Sequence, residues 1–122
     1  MDVLQRVASE LSTDENRAEQ GLGAVFIAVR IATDAKTFSQ VSRSMPDAGT
    51  WMQRAPFSAG RTGEMLAMAT PAALKRVLRL AGFSDEQIMK LCTIAGAALR
   101  DAAPEAYEES LKKLPLLKAE SD

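Results

Sequence analysis

Apolar residues recur along this chain at three- and four-residue intervals, the spacing that gathers side chains on one face of an α-helix. Val3, Leu4, Val7, Ala8 and Leu11 define a first helix near 2–11. Ser12 followed three residues later by Glu15 has the form of a capping box and predicts a second helix over 13–32. That helix turns Ala18, Leu22, Val25, Phe26 and Val29 inward. Gly21 and Gly23 interrupt it at a cost of about 1 kcal/mol each in helix propensity. Their small size predicts close approach by another helix rather than a ligand loop. Thr33 or Asp34 caps a third helix over 35–44, with Phe38, Val41 and Met45 inward. Pro46 ends it and opens a short helix to about Arg54, anchored by Trp51 and Met52.

Ala55-Pro56 closes that helix, because a residue before proline avoids helical angles. Residues 57–63 hold two glycines and read as an exposed loop, followed by a short helix over 64–69 that carries Met65, Leu66 and Met68. Thr70-Pro71 is a strong helix start, cap then proline at the first position. Leu74, Val77, Leu78 and Ala81 form the face of that helix, and Gly82 supplies a left-handed stop. Ser84 with Gln87 makes another capping box, opening a long helix to about Ala102 that buries Ile88, Leu91, Cys92, Ala95 and Leu99. Pro104 starts a last helix to about Leu114, with Tyr107 and Leu111 inward. No segment alternates as a strand would. The expectation is a compact all-α bundle of six or seven helices without β-sheet, one domain over 1–117 and a frayed tail over 118–122. Its core should include Val7, Leu22, Phe26, Val29, Phe38, Val41, Trp51, Leu74, Val77, Leu91 and Leu99.

An internal likeness stands out. Leu4-Gln5-Arg6-Val7 leading to Leu11-Ser12-Thr13-Asp14-Glu15 is matched by Leu74-Lys75-Arg76-Val77 leading to Phe83-Ser84-Asp85-Glu86. A duplicated helical hairpin and convergence of two common capped turns both account for it.

Composition narrows the chemistry. Hydrophobic residues are 47% of the 122, and charged residues are 25%, the balance of a globular chain with a real core. Net charge is −1, which argues against wholesale nucleic-acid binding. The distribution is uneven: −3 over residues 1–35, +5 over 36–79 and −3 over 80–122. There is no histidine, which removes the usual general base, the Ser-His and Cys-His nucleophile pairs and mixed His/Cys zinc sites. The single cysteine, Cys92, can form no internal disulfide and sits on an apolar face. The uncharged run that contains Gly21 to Val29 ends at Arg30 and is far short of the about 20 residues a bilayer span needs. Met1-Asp2-Val3-Leu4 lacks a basic stretch followed by an apolar one, so a cytoplasmic location is expected; an upstream leader, once removed, would make it periplasmic.

Three stretches carry a family resemblance. Ala18-Glu19-Gln20-Gly21-Leu22-Gly23-Ala24-Val25-Phe26, then Phe38-Ser39-Gln40-Val41, then Met45-Pro46-Asp47-Ala48 with Ala55-Pro56 resemble the small bacterial VcgC/VcgE-type proteins, a family of unknown function. The likeness runs from the first helix to the long helix before Pro104. It implies a bacterial helical domain, with some members exported, and it assigns no activity, substrate or site residue.

Candidate chemistry is sparse. The acidic pairs Asp14-Glu15 and Asp85-Glu86 sit in first helical turns, where they oppose the helix dipole, and Glu108-Glu109 has no metal-binding spacing. Gly21-Leu22-Gly23 does not continue as a dinucleotide fingerprint, and Gly60-Arg61-Thr62-Gly63 lacks the lysine of a P-loop. The expectation is therefore a non-enzymatic interaction module without cofactor or metal. It would self-associate or bind a protein partner through Met45, Trp51, Met52, Phe57, Met65 and Met68, adaptable apolar groups around a loop. The alternative is an anion- or nucleic-acid-binding domain using Arg54, Arg61, Lys75, Arg76 and Arg79, with 70–99 as a helix-turn-helix. Against it, the helix that would read bases opens on Ser84-Asp85-Glu86, whose acids repel phosphate. A third reading holds a small apolar ligand or lipid in a cavity near Phe26 and Met65.

Overall fold

A computed structural model describes residues 2–55 and 70–118, which form seven α-helices and a 3₁₀ turn and contain no strand. In chain order the helices are α1 (Val3–Leu11), α2 (Glu15–Ala32), α3 (Ala35–Ser44), α4 (Asp47–Gln53), α5 (Pro71–Leu80), α6 (Asp85–Ala102) and α7 (Pro104–Lys113), with the 3₁₀ turn at Pro115–Leu117. The expected all-α fold without sheet is what is found. The helix expected over 64–69 lies outside the described residues.

α2 is the centre. Every residue from Gly21 to Val29 is buried, so this helix has no solvent face over that stretch. α1, α4, α5, α6 and α7 all pack on it. Two glycines make the approach possible. A Cβ on Gly23 would overlap the carbonyl of Trp51 in α4, and one on Gly21 would meet Leu91 and Phe83. α6 uses the same device, since a Cβ on Gly96 would overlap the carbonyl of Leu117. The small-residue reading of Gly21 and Gly23 therefore holds.

Local capping chemistry sets most helix ends. Asp2, Asp34 and Thr70 each accept the backbone N–H three residues on. Ser84 and Gln87 form the reciprocal box, at 3.1 and 2.9 Å. Gly82 has φ +101° and ends the α5 turn. The Ser12–Glu15 box does not form. Ser12 instead ends α1 in the left-handed region, φ 55°, donating its N–H to the α1 carbonyls of Ala8 and Ser9. An N-cap needs extended backbone, so the cap passes to Asp14, which accepts from Arg17 N at 2.7 Å and starts α2 at Glu15.

The two described segments repeat one another. α1 and α5 have 9 and 10 residues, α2 and α6 both 18, and α3 and α7 both 10. α3 ends at Met45 with φ −132°, ψ 72°; α7 ends at Leu114 with φ −127°, ψ 70°; a proline follows each. The contacts across the halves are reciprocal. Arg17, near the start of α2, donates Nη2 to the Ala81 carbonyl that follows α5, at 2.7 Å. Gln87, near the start of α6, donates Nε2 to the Leu11 carbonyl at the end of α1, at 3.0 Å. Exchange of this kind is what a two-fold relation between like surfaces produces. It favours duplication over the convergence that the sequence left open. Arg17 also lies over the Phe83 ring, 5.5 Å from its centroid.

The interior holds most of the expected core: Val7, Leu22, Phe26, Val29, Val41, Trp51, Leu74, Leu91 and Leu99 are buried. Phe38 and Val77 are half-buried at its edge, since α3 and α5 each have one wall only partly covered. Leu114 and Leu117 are fully buried, so the chain beyond α7 folds back over Gly96 instead of fraying at once. Residues 119–122 of the expected tail lie outside the described residues. Ser110 is the odd member of this interior. It is wholly buried, and its hydroxyl has no hydrogen-bond partner among the described residues. The corresponding position of α3 is Val41, also wholly buried.

Three substitutions should separate in urea unfolding. Gly23→Ala must displace the Trp51 backbone and should lose about 2–3 kcal/mol. Gly49→Ala, in α4 with nothing within 4 Å of its Cβ, should gain about 0.5–1 kcal/mol. Equal effects at the two glycines would contradict the close packing of α2 on α4. Ser110→Ala removes an orphaned hydroxyl and should raise stability by about 1 kcal/mol; a loss of that size would show that the hydroxyl is bonded in solution.

Candidate functional site

The expected partner-surface residues do not form one exposed patch. Met45 and Trp51 are buried, and Met52 is half-buried. Phe57, Met65 and Met68 lie outside the described residues. Trp51 packs on Phe26 with ring centroids 5.7 Å apart at 53°, which fills the space beside Phe26 with an aromatic contact. The ligand cavity expected near Phe26 and Met65 involves Met65, which lies outside the described residues.

The expected basic residues are also dispersed. Arg54, just after α4, is 3.9 Å from Glu19 of α2. Arg79 donates to Asp85 at 2.7 Å. Lys75 is half-buried and close enough to influence Cys92 in α6. Arg61 lies outside the described residues. Arg76 alone of the set is exposed without an ion-pair partner among the described residues. α5 and α6 do form a helical hairpin, but α6 spends its face on the core through Ile88, Leu91, Cys92, Ile94, Ala95 and Leu99. A base-reading helix needs that face free.

The structure does bring together a groove that no single stretch of sequence announces. It lies between the N-terminal end of α1 and the α3–α4 corner, has a volume of about 390 Å³, and opens to solvent. Val3, Leu4, Met45, Pro46 and Trp51 give it an apolar floor. Asp2, Glu19 and Asp47 stand on its rim with Ser44 and Thr50, and no lysine or arginine is among its described lining residues. Each acid has a local reason to be there. Asp2 caps α1 through Gln5 N at 2.8 Å, and Asp47 opposes the dipole in the first turn of α4. Glu19 projects from α2 and is only 16% exposed at its side chain, with Arg54 as a loose counter-ion. Met45 and Trp51 thus serve twice: they are core residues whose edges form the groove.

A second, shallower hollow of about 580 Å³ runs beside Ala32 and α7. Glu105, Glu108, Glu109, Lys112 and Lys113 line it, three acids followed four residues on by two bases of the same helix, so its charges largely cancel. Glu109 is further tied to the Asp34 backbone N–H at 3.3 Å. Hydrogen bonds from the Thr37 N–H and hydroxyl hold the Asp34 carboxyl below its ordinary value. Among the described residues no group of carboxylates and thiols is arranged to hold a metal ion, and no helix is long and apolar enough to cross a membrane.

Cys92 is buried in α6, and desolvation pushes its thiol up to about 12, against a small opposing pull from Lys75. At pH 8 the folded protein should react with a maleimide or a disulfide reagent only through transient opening. The rate should therefore be at least about a hundredfold below that of a free thiol and should rise steeply with urea. Prompt labelling in the absence of urea would place Cys92 at the surface.

Comparison of the chain with models of protein families, with characterised proteins and with solved structures finds no match.

Proposed function

We propose that this chain is a helical interaction domain whose α1–α4 groove takes an apolar side chain from a basic segment of a protein partner. The observation that carries the reading is the pairing of an apolar floor with a rim of three carboxylates. A leucine or methionine entering the floor would leave water, worth about 1.5–3 kcal/mol for full burial. Flanking arginines or lysines would meet Asp2, Glu19 and Asp47 at the rim, where they orient the partner more than they add affinity. A groove of 390 Å³ holds one or two side chains. Affinity for an isolated peptide should accordingly be modest, a Kd on the order of 0.1 mM. The reading keeps Met45 and Trp51 from the apolar surface expected by sequence and places them in a concave site.

The test is an NMR titration of the labelled chain with a synthetic peptide carrying a leucine between arginines. Saturable shifts should concentrate at Leu4, Thr50 and the Trp51 indole, weaken with added salt, and vanish in Thr50→Arg, which places a bulky cation over the groove. Shifts that are equally strong at Glu105 and Glu108, or none at millimolar peptide, would remove the support for a specific groove.

A further inference from the structure

We infer that the occupant of the α1–α4 groove is α5 of a second copy of this chain. The inference rests on the docking role proposed above and names the partner. α5 already meets the core through Leu74 and Leu78, both wholly buried. Leu80 points elsewhere and is 79% exposed. The other large exposed apolar residue among those described, Met89 at 67%, belongs to α6 of the same hairpin. Unpartnered apolar surface is thus concentrated on the half of the molecule that does not carry the groove.

The surroundings of Leu80 match the groove in chemistry. Ala72, Arg76 and Leu80 follow one another at four-residue steps and are all exposed, so they share the outer face of α5. Arg79 stands beside them, its guanidinium bonded to Asp85 at 2.7 Å. Arg76 has no such partner among the described residues and is the free cation of this face. Ala72 leaves room for close approach by another helix. The face therefore offers a leucine flanked by arginines, and the groove offers an apolar floor ringed by Asp2, Glu19 and Asp47.

Knob and groove are different surfaces of one chain. Two copies that exchange both close as a two-fold dimer, and a copy that gives α5 to one neighbour and its groove to another continues to a ring or an open chain. A single leucine with a few rim charges makes a weak, salt-sensitive contact.

Sedimentation velocity of the full chain tests this, from about 10 μM to about 1 mM at low ionic strength, the range where such contacts form. The average sedimentation coefficient should rise with concentration and fall back when salt is added. Leu80→Asp removes the knob and Thr50→Arg blocks the groove; each variant alone should be monomeric, with unchanged helical circular dichroism. Their equimolar mixture retains one intact knob and one intact groove, and it should form dimers that grow no further. A wild-type chain that stays monomeric throughout overturns the inference. So does a Leu80→Asp chain that still associates, or a mixture that stays monomeric. If the wild type is monomeric yet the leucine–arginine peptide still binds the groove, the docking role stands and only the self-pairing fails. If association persists in Thr50→Arg while the peptide does not bind, the groove itself is not the docking site and both fail.

Discussion

The nine residues from Gly21 to Val29 are buried on every side of a single helix, and the rest of the fold is arranged around that fact. A helix hidden all round cannot carry a charge along the hidden stretch without a buried partner, and this run has none until Arg30. It also cannot be wide. Gly21 and Gly23 narrow it where Phe83, Leu91 and the Trp51 backbone press in. The helix-propensity loss at Gly23 is offset by backbone packing that a Cβ would forbid, and at Gly21 by close contact with the Leu91 and Phe83 side chains. One helix thus serves as a common wall for α1, α4, α5, α6 and α7.

The candidate site follows from the same close approach. Because Gly23 admits the Trp51 carbonyl, α4 lies down on α2 with its indole against Phe26. Met45, at the corner before α4, is drawn in with it. α1 cannot also cover this region, since its inward residues Val7 and Leu11 are buried and it packs between α2 and α6. The space left between α1 and α4 is the groove, and two of its apolar floor residues, Met45 and Trp51, are core residues seen from the side. Its acidic rim is built from helix-start carboxylates at Asp2 and Asp47 together with Glu19. Charges that stabilise helix ends are thereby collected at one place.

Much of the fold was legible in sequence because its signals are local. Thr70-Pro71, Gly82 and the Ser84–Gln87 box each involve atoms three or four residues apart, and all form as read. Ser12–Glu15 was misread for a reason of the same kind. Two overlapping caps, one from Ser12 and one from Asp14, compete for neighbouring amides, and the left-handed turn at Ser12 decides between them. Trp51 and Met45 allowed two readings, core or partner surface, and their burial makes them core with one edge left open. What the sequence hid is tertiary. Leu114 and Leu117 lie inside the expected domain, but nothing local in the sequence shows that they close over Gly96. Asp2, Glu19 and Asp47 share no period and no motif; only the packing of α1 and α4 beside α2 makes them neighbours. The likeness of 4–15 to 74–86 was visible, but its meaning needed the exchange of Arg17 and Gln87 between the halves.

The central claim is that the middle of α2 is the interior on which everything else is mounted. Native-state hydrogen exchange along a urea series measures this residue by residue. The account predicts that the amides of residues 21–29 exchange only by complete unfolding, with a free energy and a urea dependence equal to those of the whole molecule. Exchange of these amides through small, urea-independent openings, while α6 stays protected, would contradict it.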